Sequence, residues 1–201
     1  MNINTLHRAL ANLGATRHAF YSEADFQFAL AWELQKQLPN AKIHLERRDD
    51  IYNYYVDIWV EEDGDKIYPI ELKYKTKKAT IGSIKLREQS AVDFGCYDYL
   101  WDIKRLEDLS KSEPQYAKGY AIILTNVPAY YNSTGRSSAY DDFRINQGAI
   151  KSGSLSWGKT NKGTIFNSGN RGKFILTGRY TMDWHKYNNQ IDGFQYLINE
   201  V

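Results

Sequence analysis

The chain has 201 residues, 42% hydrophobic and 25% charged, with only 4 Pro. That is the composition of a folded globular protein with room for a substantial core, and it excludes long disorder, collagen-like repeats and coiled coil. No apolar run approaches the ~20 residues that span a bilayer, and Met1–Ala15 lacks the basic, apolar, small-residue order of a leader peptide. With a single Cys, no internal disulfide forms, so the expectation is a cytoplasmic, reducing address and no membrane partner. The net charge of +2 is uninformative, but its distribution is not. Residues 73–88 hold six Lys/Arg against Glu88, and residues 136–187 hold nine against Asp141, Asp142 and Asp183. The 16 Tyr and 5 Trp suit half-buried, half-wet surfaces.

In chain order, Ser22 followed by Asp25 predicts a capped helix start, and Phe26, Ala29, Leu30 and Leu34 continue it at helical spacing up to Pro39. Residues 41–47 alternate as a strand. Residues 54–61 and 67–75 form two clearer strands around the polar turn Glu61–Lys66, a β-hairpin. Residues 83–109 read as one long helix with Val92, Cys96, Tyr99, Ile103 and Leu106 as its apolar stripe, and Gly95 marks a place for a kink. Tyr120–Thr125 is a continuous apolar run expected as a central buried strand. Residues 133–173 hold seven of the 14 Gly and little periodicity, so loops with a short helix near 140–148 are expected. Residues 173–180 and 194–201 are strand-like. The domain reading is a core over 1–131 and a region 132–201 that completes or decorates it.

One-sided burial aligns Val56, Ile58 and Val60 with Leu72, Ile70 and Tyr68 across the hairpin. That register sets Asp57 opposite Glu71, with Lys73 two residues further along the same face, and it demands a turn with an odd number of residues. Two facing carboxylates repel unless a cation lies between them, and hard oxygen ligands suit Mg²⁺. A metal with a neighbouring ammonium is the equipment for hydrolysing a phosphodiester.

Val56-Asp57 followed by Ile70-Glu71-Leu72-Lys73, with thirteen residues between the two acids, resembles the PD-(D/E)XK nuclease superfamily. The resemblance covers about residues 20–127, with Val56 standing where the motif's name has Pro. It implies an α/β restriction-endonuclease-like fold, a central mixed β-sheet flanked by helices, here with a Gly-rich C-terminal extension. It further implies Asp57 and Glu71 as metal carboxylates, the Leu72 carbonyl as a further metal ligand and Lys73 as the catalytic lysine. Glu23 matches the acid many members carry on the first helix, and Gln89 the Gln that some place on the helix after the Lys. The cofactor would be Mg²⁺ with Mn²⁺ as a substitute, the substrate double-stranded DNA, and the assembly a homodimer.

The basic run Lys75, Lys77 and Lys78 continues from Lys73, where a phosphate backbone would pass. Trp157, Lys159, Lys162, Arg171 and Lys173 form a second candidate nucleic-acid stretch. Glu33 is an odd acid on the apolar face of its helix. Asp102-Ile-Lys104 repeats the acid-x-Lys pattern, but i and i+2 on a helix do not share a face. Cys96, Trp184 and Tyr187 read as core, and His7, His18, His44 and His185 lack metal-ligand spacing. The expectation is a Mg²⁺-dependent DNA endonuclease. The alternatives are a structure-specific, repair or RNA nuclease, a non-catalytic nucleic-acid-binding protein of the same fold, and a Tyr-rich protein-interaction module.

Overall fold

The computed structural model describes residues 1–62, 64–89, 91–133, 135–158, 171–188 and 193–201. Helix α1, Ile3–Thr16, is capped by Asn2, whose side chain accepts from the Thr5 N–H, and it buries Leu6, Ala9, Leu10 and Leu13. It lies in a stretch read above only for a leader peptide, although those four residues are spaced as one apolar face. Helix α2, Glu23–Gln37, begins as expected, with Ser22 Oγ accepting from the Asp25 N–H at 3.1 Å. Glu23 and Asp25 in its first turn complement the helix dipole.

Strands β1 (Lys42–Asp49), β2 (Tyr54–Glu62) and β3 (Lys66–Lys75) form an antiparallel meander. Ile58 pairs with Ile70, Val60 with Tyr68 and Glu62 with Lys66, so three residues lie in the turn, an odd number as the register required. After β3 the chain forms a small hairpin, β4 (Ala79–Ile81) and β5 (Ile84–Leu86), turned at Gly82 with φ +58°. Helix α3, Val92–Ser112, follows and leads into β6, Tyr120–Thr125, which runs parallel to β3. The long helix therefore starts at Val92 and not at Ser83: the positive φ of Gly82 turns the chain, and residues 84–86 pair as a strand. Gly95 causes no break.

Beyond the short helix α4, Pro128–Tyr131, the stretch expected to be helical near 140–148 is a single 3₁₀ turn, Asp141–Phe143. Strands β7 (Ile150–Leu155) and β8 (Phe174–Thr181) form a separate two-stranded ladder. Strands β9 (Trp184–Lys186) and β10 (Gln195–Glu200) complete a central sheet of order β1-β2-β3-β6-β10-β9. The sheet is mixed, with β3 and β6 parallel and its other pairs antiparallel.

Side-chain alternation sorts the sheet into two covered faces. Ile70, Leu72 and Tyr74 of β3, with Tyr120, Ile122 and Leu124 of β6, pack under α1 and α2. Ala121, Ile123 and Leu197 pack on the other side with Cys96, Tyr99, Ile103 and Leu106 of α3 and with residues of β8. Cys96, Trp184 and Tyr187 are core residues, as expected. Since Leu72 faces α1 and α2, Glu71 and Lys73 must face α3. No helix among the described residues is long and apolar enough to cross a membrane.

Candidate active site

Strand β3 changes partner along its length. From Lys66 to Ile70 it pairs with β2, and from Ile70 to Lys75 with β6. The expected pairings of Val56 with Leu72 and of Asp57 with Glu71 are therefore not made; Val56 packs instead with Trp59, Ile67 and Leu109. The two strands diverge at Ile70, and Asp57 stands where they part. Its Oδ2 accepts the Leu72 N–H at 2.6 Å, so a carboxylate oxygen takes the place of a strand carbonyl. On its other side β1 also loses its ladder: Leu45 pairs with Ile58 and Arg47 with Val56, while the intervening Glu46 adopts φ +52°. The buried Gln27 of α2 bridges this gap, donating to the Asp57 carbonyl at 2.6 Å and to Glu46 Oε1 at 2.7 Å.

Glu71 is 1% exposed. It faces Arg105 of α3, with Nη2 3.0 Å from Oε1. Lys73 is ion-paired with Asp102, one turn before Arg105, and its Nζ also donates to the Leu72 carbonyl at 3.1 Å. Arg105 Nη1 lies 3.3 Å from Asp102 Oδ1 and its Nη2 donates to the Tyr55 carbonyl at 2.7 Å. From α2, Glu23 Oε2 accepts the Tyr74 N–H at 2.7 Å. Asp57, Glu71, Lys73 and Glu23 are thus gathered at one end of the hairpin, together with Asp102 and Arg105, which no spacing in the sequence places there.

The electrostatics follow from this crowding. Burial raises the Asp57 pKa from its usual 3.8 to about 6; Lys73 and the Leu72 N–H oppose the shift, and Asp102 and Glu23 add to it. Burial also pushes Glu71 up, and the charges of Asp102 and Asp57 add to that against Arg105 and Lys73. Burial would lower the Lys73 pKa, but Asp102, Glu71, Glu23 and Asp57 outweigh it, so its ammonium is held above the ordinary range. Four carboxyl groups meet two cations here, in a site largely withdrawn from water. Asp57, Glu71 and the Leu72 carbonyl offer the hard oxygen donors that suit a divalent cation such as Mg²⁺. Among the described residues, no three His, Cys, Asp or Glu side chains already converge on a metal-sized point, since Glu71 is turned to Arg105.

The remaining candidates divide. Lys75 is half-buried at the end of β3, and Lys77 and Lys78 are exposed just beyond it. Gln89 is not on a helix: it precedes α3 and clamps the chain after β3, its Oε1 accepting the Thr76 N–H at 3.1 Å and its N–H donating to the Thr76 carbonyl at 2.9 Å. Glu33 stays outside the cluster, accepting from Asn12 Nδ2 at 2.7 Å and pairing with Lys36, so it ties α1 to α2. Trp157 donates to the Arg171 carbonyl and Arg171 pairs with Asp98 at 2.7 Å, so both serve packing around α3. Lys173 is exposed; Lys159 and Lys162 lie outside the described residues. At the turn end of the hairpin a cleft of about 220 Å³ is lined by Lys42, Glu61, Glu62 and Asp65, away from Asp57 and Glu71. Compared with family models, with curated proteins and with solved structures, the chain matches none.

Proposed function

We propose that the protein is a metal-dependent nuclease that hydrolyses phosphodiester bonds in DNA, built on a restriction-endonuclease-like core of the PD-(D/E)XK kind. The observation that carries this reading is the cluster at the divergence of β2 and β3, where Asp57, Glu71 and the Leu72 carbonyl offer oxygen donors beside the Lys73 ammonium. The succession of a helix, an antiparallel meander, a crossing helix and a parallel strand supports the same core. Asp57 and Glu71 would hold Mg²⁺, which when bound supplies Lewis-acid polarisation of a phosphoryl oxygen. Lys73, kept protonated by its carboxylate neighbours, stabilises the negative charge that develops on the phosphate and orients the attacking water. Asp102 holds the Lys73 side chain in place, and Glu23 ties the start of α2 to β3. Duplex DNA and a homodimer belong to this reading through the motif alone.

The Arg105–Glu71 pair favours a second reading. In it the cluster is a structural ion network, and the protein binds nucleic acid through its basic stretches without cutting it. Supercoiled plasmid incubated with Mg²⁺ or EDTA, beside Lys73→Ala and Asp57→Asn variants of verified fold, separates the two. The nuclease reading expects cleavage that needs Mg²⁺ and falls by about 10²-fold or more in both variants. Salt-sensitive binding without cleavage by the native protein would establish the second reading instead.

A further inference from the structure

Between the β1–β2 turn and α3 lies a cleft of about 390 Å³, lined by Tyr52, Tyr54, Trp101, Arg105 and Asp108. It shares a wall with the candidate active site. The Arg105 guanidinium that reaches Glu71 has its Cζ 3.8 Å from the centre of the Tyr54 ring. The aromatic walls are held in place. The Tyr52 hydroxyl donates to the Asp108 carbonyl and the Tyr54 hydroxyl to the Arg105 carbonyl, each at 3.3 Å. The turn that carries Tyr52 is fixed by its N–H on Asp49 Oδ1 at 2.7 Å and by Asn53 at φ +54°. Trp101 stacks on Tyr97 with 14° between the planes. Trp101 is 40% and Tyr52 43% exposed, so both rings reach solvent at the cleft.

Rigid, open aromatic faces are stacking platforms for flat π systems. The volume is that of a small-ligand site. Because Arg105 joins this cleft to the carboxylates, the flat group that fits is the base of a nucleotide adjoining the phosphate at Asp57 and Glu71. A base inside a duplex has both faces covered by its neighbours, so only an unpaired base, or one rotated out of the stack, presents a free face. We propose that this cleft stacks an unpaired nucleobase next to the scissile phosphate, so that the substrate is single-stranded or locally distorted nucleic acid. The proposal rests on the nuclease reading and narrows its substrate.

The test measures binding in EDTA, where no cleavage occurs. Fluorescence anisotropy would follow a labelled oligothymidylate and a fully paired duplex of the same length with the native protein, Trp101→Ala and Trp101→Phe. The expected result is tighter binding of the single strand, weakened about tenfold by Trp101→Ala and largely restored by Trp101→Phe, with duplex binding unmoved. Equal single-strand binding by native protein and Trp101→Ala would overturn the proposal. So would a parallel loss of single-strand and duplex binding, or no oligonucleotide binding at all. Thermal melts show whether each variant is folded, and Tyr52→Ala, on the opposite wall, gives an independent second variant. Plasmid cleavage separates the two ideas. Lys73-dependent cleavage with Trp101-independent binding removes the base cleft and keeps the nuclease; Trp101-dependent stacking without Mg²⁺-dependent cleavage does the reverse.

Discussion

Asp57 combines two demands that conflict at neutral pH: it accepts the Leu72 N–H as a strand carbonyl would, and it carries a charge in a site withdrawn from water. Its carboxyl holds a proton more tightly in the folded chain, at about pH 6, than at its usual 3.8. The associated stability is fully present below about pH 4 and is lost as the pH rises through 6. The difference corresponds to about 3 kcal/mol. Asp57→Asn keeps an oxygen for the Leu72 N–H and removes the titration. In EDTA, its stability relative to the native protein is therefore expected to improve by up to about 3 kcal/mol between pH 4 and pH 7, read from urea denaturation at each pH. A gap that does not change with pH would mean that the carboxylate is better solvated than its burial implies. That Asp57 lies near Glu71 is legible in the sequence, because period-2 alternation puts both at the same end of the hairpin, although the strands part before the two can pair. Asp102 and Arg105 are not legible in the same way, because their partners lie across a helix–sheet packing whose rotation no local pattern records. A signal existed: Asp102 interrupts the apolar stripe of α3 between Tyr99 and Ile103, as Glu33 does on α2. One such acid meets Lys73 and the other meets Asn12, and only the fold distinguishes them.

Helix α3 carries the cluster's second wall, so its seating on the sheet matters more than its helical propensity. Gly95 shows this. In an isolated helix, Ala would be better by about 1 kcal/mol. Here a β-carbon at residue 95 would run into the Tyr130 hydroxyl and lie 2.9 Å from the ring Cζ, and Tyr130 is fully buried. Overpacking of this kind costs about 1–3 kcal/mol. Gly95→Ala is therefore expected to lower the melting temperature by about 2–12 °C, whereas the same change at an exposed-helix glycine would raise it. A rise on substitution would show that α4 yields to α3. Elements were legible where the pattern is long enough to count: the hairpin register from Ile58 to Glu62, the Ser22 cap and the continuous apolar run of β6 all follow from residue spacing. The start of α3 was not, because β4 and β5 are only three residues each, too short for alternation to separate them from helical spacing. Gly82 was the available clue.

At the scale of the molecule, the question is whether residues beyond 131 decorate a core that stands alone. Strand β10 comes from the end of the chain, yet it lies inside the central sheet, between β6 and β9. Its Tyr196, Leu197 and Ile198, with the preceding Phe194, are all buried, Leu197 against α3 and the others under α1 and α2. Burial of a large apolar side chain contributes about 1.5–3 kcal/mol, so these four together rival the whole stability of an ordinary domain, about 5–15 kcal/mol. Losing β10 would also leave the ladder groups of β6 unpaired beside apolar Ile123 and Leu197's vacated space, a long exposed edge that invites aggregation. Glu107 adds a polar tie from the same region: its carboxylate accepts the Thr177 and Gly178 N–H groups and the Tyr180 hydroxyl at 2.7–3.0 Å, anchoring β8 to α3. A fragment of residues 1–131 is therefore expected to show no cooperative thermal transition and to aggregate, while the full chain melts in one step. A cooperative melt of the fragment would instead make residues 1–131 a self-sufficient core. The candidate site would then depend only on the meander, α2 and α3, and cleavage by the fragment would be the direct way to see it.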